Sequence, residues 1–236
     1  MFIKPDHRLT RRLPFNLICA VLLFFAASQA ARADELAVWN FNDSDLNVDH
    51  GNGTLTSSLN VVNVLFAAGT TNNARQGDIA GQALSLQGGT GNANNGRNLT
   101  FNVSTLGFSN IIVSFATQGT STGFNSNQFQ YSLDGVNFLD FGPPYVPLTA
   151  FGTLPLVFSL SSILALNNNP NAAFRIVFNG ATSSTGNNRI DNVVFEGTNG
   201  SIPEPTTALL LLSGLGGLYK IRRKKRTGGH EVPHLQ

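Results

Sequence analysis

Four side chains that carry oxygen ligands alternate along one short polar segment of the sequence. They are Asp43, Asp45, Asn47 and Asp49. Calcium prefers carboxylate, amide and carbonyl oxygens presented by a single loop, so this spacing predicts a calcium site. The segment is not an EF-hand, because Val48 stands where that loop needs glycine and Thr54 stands where it needs glutamate. The alternative, which the incomplete pattern favours, is a solvated acidic turn.

The other reactive side chains argue against catalysis. His50 is the only histidine between residues 34 and 202, and the one cysteine, Cys19, lies in an apolar run near the amino terminus. A Ser-His-Asp triad or a His-based metal site would therefore rest on a single imidazole ring. We predict that the protein is not an enzyme. A secreted hydrolase that uses two aspartates, as glycosidases use two carboxylates, is the alternative.

Three aromatic side chains with a polar atom could contact a sugar. Trp39 and Tyr131 lie in strand-like runs beside phenylalanines, which predicts that both pack in the core. Tyr145 follows the sequence Gly142-Pro143-Pro144, which is typical of a loop. Because loops on a rigid scaffold often carry binding residues, Tyr145 is predicted to face a ligand.

The elements that must position these residues are predominantly β-strands. Apolar and polar residues alternate in short runs, which are separated by clusters of Gly, Asn, Ser and Thr. The clearest run places Phe174, Ile176 and Phe178 on one face, which predicts a sheet with a single buried face. Only residues 161–166 have a helical pattern. The strand-like runs are 36–41, 54–66, 83–86, 99–103, 111–116, 129–133, 156–160, 174–178 and 190–195.

These runs predict an all-β fold, a single jelly-roll-like β-sandwich of about nine strands formed by residues 34–201. Segments 38–42, 80–88 and 130–138 resemble accessory β-sandwich modules of secreted bacterial surface proteins and extracellular nucleases. That resemblance implies a module that is not itself catalytic.

The amino terminus has the three parts of a secretory signal peptide. A basic segment ends at Arg12, an apolar stretch covers residues 13–27, and small residues follow up to Ala33. We predict cleavage after Ala33, so that residues 1–33 are removed. Residues 34–202 then carry ten acidic residues, four arginines and no lysine, a net charge of −6. This charge excludes a nucleic-acid-binding surface, which needs clustered lysine and arginine.

The carboxyl terminus combines three elements in a fixed order. Pro203, Glu204 and Pro205 are followed by an apolar run, 206–219, and then by a basic cluster. The cluster consists of Arg222, Arg223, Lys224, Lys225 and Arg226. The basic cluster predicts a cytoplasmic end for a short transmembrane helix. Residues 202–226 resemble the PEP-CTERM sorting signal of Gram-negative bacteria that secrete polymeric matrix, and a polar tail, 227–236, follows.

The PEP-CTERM resemblance implies that an exosortase-type protease recognises Pro203–Pro205 and processes the tail. The chain would then be exported through the inner membrane, anchored there transiently and sorted to the cell surface or extracellular matrix. We predict a non-enzymatic matrix protein that binds polysaccharide or has a structural role. A simple single-pass membrane-anchored adhesin is the alternative, since an uncleaved apolar run would also hold the chain in the membrane.

Overall fold

The computed structural model describes residues 33–75 and 77–200. The predicted signal peptide, the Pro203–Pro205 motif, the basic cluster and the polar tail lie outside these residues. Within them, two antiparallel sheets form a β-sandwich, which confirms the all-β, jelly-roll-like prediction. The helical structure of the described part consists of three short 3-10 turns, Val61–Asn63, Thr90–Asn92 and Leu164–Leu166. None of its helices is long and apolar enough to cross a membrane.

The described chain contains twelve strands, three more than the sequence pattern indicated. They are β1 (Ala33–Trp39), β2 (His50–Gly51), β3 (Thr54–Ser57), β4 (Val64–Ala68), β5 (Gln82–Gln87), β6 (Arg97–Asn102), β7 (Phe108–Gly119), β8 (Ser126–Ser132), β9 (Phe138–Asp140), β10 (Leu156–Ser159), β11 (Ala173–Asn179) and β12 (Asn187–Asn199). The predicted run 54–66 is two strands that belong to different sheets, because a 3-10 turn capped by the Asn60 side chain separates them. The predicted helical segment 161–166 contains only one 3-10 turn.

The seven-stranded sheet is organised around β12. Its main order is β10-β7-β12-β1-β2, and β5 also pairs with β12 and carries β4 on its other side. Strand β7 runs along one side of β12, whereas β5 and β1 share the other side, opposite residues 187–190 and 193–198. The change from β5 to β1 coincides with a bulge between Asp191 and Val194, where Asn192 adopts a left-handed φ of 49°.

Loop 69–75 is hydrogen-bonded to this bulge. The Asp191 carboxylate accepts the Thr70 amide proton at 2.7 Å, and the Asn192 side-chain amide donates to the carbonyl of Thr70 at 2.7 Å. A Cβ atom at Gly69 would lie 2.5 Å from Asp191 Oδ2, so the close approach requires glycine. These contacts fix the loop against the central strand.

The five-stranded sheet has the order β3-β6-β11-β8-β9. Phe174, Ile176 and Phe178 of β11 are fully buried, and the intervening Arg175 and Val177 are only half-buried. This alternation confirms the predicted single buried face, and it leaves the side chains of the opposite face partly exposed to solvent.

Aromatic rings fill the space between the two sheets. Trp39 is fully buried, and its ring centroid lies 5.2 Å from that of Phe101 and 5.8 Å from that of Phe195, both edge-on. Phe174 packs against Phe195 at 5.0 Å. Edge-to-face packing of large rings adds stability beyond the area that they bury. The core position predicted for Trp39 is confirmed.

Candidate functional site

The outward face of the five-stranded sheet carries one row of polar side chains. The row takes one residue from each strand in cross-strand register, namely Thr56, Thr100, Arg175, Gln130 and Asp140. These positions alternate with buried residues such as Leu55, Phe129 and Ile176, so their side chains point away from the core. Strands in a sheet are about 4.8 Å apart, which gives this polar row a length of about 19 Å.

Arg175 occupies the centre of the polar row. Its guanidinium carbon lies 3.5 Å from the centroid of the Phe138 ring, and its Nε donates to Thr100 Oγ1 at 3.3 Å. Partial burial lowers the pKa of Arg175, because desolvation penalises the charged form. Within the described residues the guanidinium has no carboxylate partner, and its two terminal nitrogens donate no hydrogen bond. The arginine is thus held in place and retains free donors.

Gln130 places an unused acceptor beside Arg175. Its side-chain amide nitrogen donates to Asp140 Oδ1 at 2.8 Å, whereas its Oε1 is buried and has no hydrogen-bond partner in the described structure. Buried polar atoms in proteins are usually paired, and this atom is one of five buried side-chain atoms of the described residues that are not. The row therefore combines free donors at Arg175, an exposed carboxylate at Asp140 and the aromatic ring of Phe138.

A groove of about 470 Å³ continues this face at one end of the sheet. Thr54 and Asn102, which lie two positions along their strands from Thr56 and Thr100, form part of its wall, and the Asn102 amide donates to Thr54 Oγ1 at 3.1 Å. The rest of the lining is Asn52, Gly53, Val103, Ser104, Asp134, Gly135, Pro170, Asn171 and Ala172. Amides and hydroxyls dominate the polar lining, which suits a ligand that both donates and accepts hydrogen bonds.

Asp134 is the single carboxylate among the residues that line the groove. It accepts hydrogen bonds from the backbone amides of Val136 and Asn137 and from the side chains of Asn137 and Ser132. These bonds hold the pKa of Asp134 well below its usual range, because they stabilise the ionised form. The carboxylate is hydrogen-bonded within its own turn. The residues that line the groove include no second carboxylate, and glycosidase chemistry needs two.

The four residues predicted to bind calcium lie in the loop between β1 and β2. Asp45 accepts hydrogen bonds from the backbone and the side chain of Asn47, and Asp49 accepts the Asn40 amide proton at 2.7 Å. Burial raises the pKa of Asp49, and Asp43 adds a smaller repulsion. No group of three or more His, Cys, Asp or Glu side chains in residues 33–75 and 77–200 is placed to hold a metal ion. Calcium binding by this loop stays a prediction.

Tyr145 lies in a loop, but the structure corrects the expectation that its ring faces outward. Its hydroxyl is buried and has no hydrogen-bond partner among the described residues, and its ring lies 6.0 Å from Phe115 and 6.2 Å from Phe158. Burial raises the pKa of this hydroxyl. The Tyr145 backbone pairs with Asn127 at the edge of β8, and the ring packs against the core. Tyr131 is half-buried and packs against the core, edge-on to Phe141.

The sequence alone predicted no binding role for Arg175, Gln130 or Phe138. The alternation of residues 174–178 does place Arg175 on the polar face of its strand, and that is the signal that could have found it. Nothing in the local sequence shows that Phe138 lies under the guanidinium, because that contact depends on the pairing of β8 with β9 and β11.

No protein-family model and no curated protein matches this chain. Its β-sandwich is similar to several solved structures. TmCBM61, solved with β-1,4-galactotriose, is 12% identical, with a TM-score of 0.41, over 66% of this chain and 92% of its own. Domain 4 of AbnA, an extracellular arabinanase from Geobacillus stearothermophilus solved with arabinotriose, is 14% identical, with a TM-score of 0.45, over 70% and 93%.

A third similar structure is the CBM22-1 xylan-binding domain of Xyn10C from Paenibacillus barcinonensis. It is 12% identical, with a TM-score of 0.44, over 73% of this chain and 99% of its own. At identities this low and TM-scores below 0.5, these similarities assign neither a family nor a ligand to the chain.

Proposed function

We propose that this chain is a secreted, surface-sorted protein whose β-sandwich binds polysaccharide on the outward face of the five-stranded sheet. The polar row carries this proposal, above all Arg175, which is fixed on the Phe138 ring while its terminal nitrogens remain free. A binding site with its side chains already in place loses little conformational entropy when the ligand arrives.

The chemistry of the row suits a sugar chain. A sugar offers hydroxyls that donate and accept hydrogen bonds, and the row supplies free donors at Arg175 and an exposed carboxylate acceptor at Asp140. The row crosses all five strands, so consecutive sugar residues of an extended chain can contact it. The adjoining groove adds amides and hydroxyls of the same kind.

The net negative charge of the described domain favours one class of polysaccharide over another. The described domain carries ten acidic residues and four arginines, so its field repels a strongly anionic polymer at long range. The ligand that fits best is a neutral, hydroxyl-rich glycan. The hydrolase alternative gains no support from the groove, since Asp134 has no carboxylate partner there.

Binding to a panel of neutral and acidic polysaccharides, measured by affinity electrophoresis, tests this proposal. Hydrogen bonds to a charged group contribute about 1.5–3 kcal/mol, so Arg175→Ala should weaken binding by roughly 10- to 100-fold. Arg97→Ala is the matched control, because Arg97 is an exposed arginine at the start of β6 outside the polar row. It should leave the affinity unchanged.

Two results would count against the proposal. If the Arg175→Ala protein bound glycan as tightly as the wild-type protein, the binding site would lie outside the polar row. Failure of the wild-type protein to bind any glycan of the panel would leave a structural role in the matrix as the function.

The route to the cell surface is the second part of the proposal. It rests on the predicted signal peptide and on the order of Pro203–Pro205, apolar run and basic cluster in the sequence. Mass spectrometry of the exported protein should find Asp34 as the first residue and no peptide from 206–236. A Glu204→Ala variant should keep its tail, since the motif is then broken. An intact tail on the wild-type protein in the membrane fraction would favour the single-pass adhesin.

A further inference from the structure

One end of the sandwich exposes apolar side chains from three loops. Leu106 is 59% exposed, Val136 76% and Leu164 73%, and Leu133 beside them is also exposed. Hydrogen bonds tie these loops together. The Asn169 side chain donates to the carbonyls of Leu133 and Ala165, and Thr105 Oγ1 donates to the carbonyl of Leu166. We refer to Leu106, Leu133, Val136 and Leu164 as the apolar end.

Both ends of the described chain leave the sandwich on this side. The first described residue, Ala33, is the cross-strand partner of Thr198. The last, Gly200, donates its amide proton to the carbonyl of Gly107, next to Leu106, at 3.1 Å. The antiparallel pairing of β1 with β12 therefore brings the two chain ends together beside the apolar end.

Each chain end continues into an apolar sequence after a short connection. Five residues, 28–32, separate Ala33 from the apolar stretch 13–27, and five residues, 201–205, separate Gly200 from the apolar run 206–219. Such a connection spans at most about 22 Å even when it is fully extended. Whichever apolar stretch enters a bilayer, the same end of the sandwich is held close to the lipid.

Fewer carboxylates lie at the apolar end than at the opposite end of the sandwich. The loops that present Leu106 and Leu164, residues 104–107 and 161–171, contain no charged residue, whereas Asp134 lies between Leu133 and Val136 and Asp34 follows the first described residue. Asp43, Asp45 and Asp49 follow the other end of β1, and Asp78 accepts a hydrogen bond from Asn40 there. An acidic surface is repelled by anionic lipid headgroups, whereas exposed leucines gain from contact with the interface.

We infer that the apolar end is a membrane-contact surface, which rests on a lipid bilayer while the chain is still attached to one of its apolar stretches. This inference depends on the anchoring step of the proposed function. It does not involve the polar row, but Ser104, Asp134, Gly135, Pro170 and Asn171 of the groove lie in the same loops, so contact with the bilayer competes with ligands of the groove. The contact orients the sandwich so that the loop with Asp43, Asp45 and Asp49 lies on the side away from the lipid.

Site-specific fluorescence of the full chain tests this orientation. In a Cys19→Ser background, Leu164→Cys carries a polarity-sensitive label, and Leu106→Cys provides a second position on the same surface. Leu154→Cys is the matched control, because Leu154 is 81% exposed but lies beside Thr117, near the opposite end of β7. The proteins are reconstituted in vesicles of phosphatidylethanolamine and phosphatidylglycerol, and quenching by aqueous iodide is measured.

We expect quenching at positions 164 and 106 to fall several-fold in vesicles relative to detergent solution, with no change at 154. Equal quenching at all three positions, in protein that floats with the vesicles, would overturn the inference alone. Protein that does not float would overturn the anchoring step and this inference with it. Protection at 164 that grows with protein concentration in detergent would assign the surface to a second copy of the chain instead of lipid.

Discussion

Glu35 of β1 and Glu196 of β12 are direct cross-strand partners, so two carboxylates face each other on neighbouring strands. The guanidinium of Arg75 joins them, with nitrogen–oxygen distances of 3.3 Å to Glu35 and 3.1 Å to Glu196. Like charges in such a pair destabilise a sheet. Loop 69–75 thus supplies the cation that allows these two glutamates to be neighbours.

Replacing this cation should lower the stability of the fold. We expect Arg75→Gln to lower the free energy of unfolding by about 1–3 kcal/mol at pH 7, because the two neighbouring carboxylates then lose the guanidinium that lies between them. Denaturant titration of the wild-type and variant proteins at pH 7 measures this loss. Arg97→Gln is the control, and an equal loss in both variants would contradict the explanation.

Asp191 should make the fold more stable in mild acid than at neutral pH. Burial raises its pKa to about 7, against the weaker effect of hydrogen bonds from the Thr70 and Asn192 amides. In the unfolded chain this carboxyl loses its proton near pH 3.9. Between these values the folded state binds more protons, so the free energy of unfolding falls as pH rises from about 4 to about 7 and is then level.

The Asp191→Asn variant isolates this effect from other titrating groups. Each unit by which the pKa is raised corresponds to about 1.4 kcal/mol, so the difference between the two proteins should change clearly between pH 5 and pH 8. Thermal or denaturant unfolding across that range measures the difference. A difference that does not vary with pH would show that the Asp191 carboxyl is ionised throughout.

Asn192 should be sensitive to both backbone conformation and side-chain hydrogen bonding. Its φ of 49° is left-handed, and its side chain donates to the carbonyls of Thr70 and Asn72. Asn192→Ala loses the hydrogen bonds and strains the backbone, for a cost of about 2–4 kcal/mol. Asn192→Gly loses only the hydrogen bonds and should be about 1 kcal/mol more stable than the alanine variant. Equal stability of the two variants would exclude backbone strain at the bulge.

Thermal unfolding with and without calcium tests the prediction that the loop between β1 and β2 binds calcium. An ion bound to Asp43, Asp45, Asn47 and Asp49 stabilises the folded state alone, so it raises Tm as its concentration increases. It must also displace Asn47 from the Asp45 carboxylate. A rise in Tm in calcium that is absent from the Asp45→Ala variant would confirm the site. An unchanged Tm in the wild-type protein would leave the loop as an acidic turn.

The elements that follow from local pattern could be predicted from the sequence, and those that follow from strand pairing could not. The alternation in 174–178 identified the buried face of β11, and its apolar neighbours identified Trp39 as a core residue. Strands β2 and β9 are too short to show a period. The assignment of β3 and β4 to different sheets depends on distant strand partners, which the local pattern of residues 54–66 does not encode.

The candidate site was harder to predict for the same reason. The polar row exists only because the register of four strand pairs brings its five residues together. Each residue alone is an ordinary polar residue of a strand. The loop position of Tyr145 was predicted, but the direction of its ring was not, because the ring packs against Phe115 and Phe158, which are distant in the sequence or lie on other strands.

The position of β12 determines when the fold of a chain exported as proposed can be completed. The last described strand is also the one that joins β7, β1 and β5, so the seven-stranded sheet cannot form until residue 199 is present. In a chain that is threaded amino-terminus first through a narrow export channel, the earlier strands must wait on the far side with unpaired edges. In such a chain the sheet would be completed only a few residues before Pro203–Pro205 leave the channel.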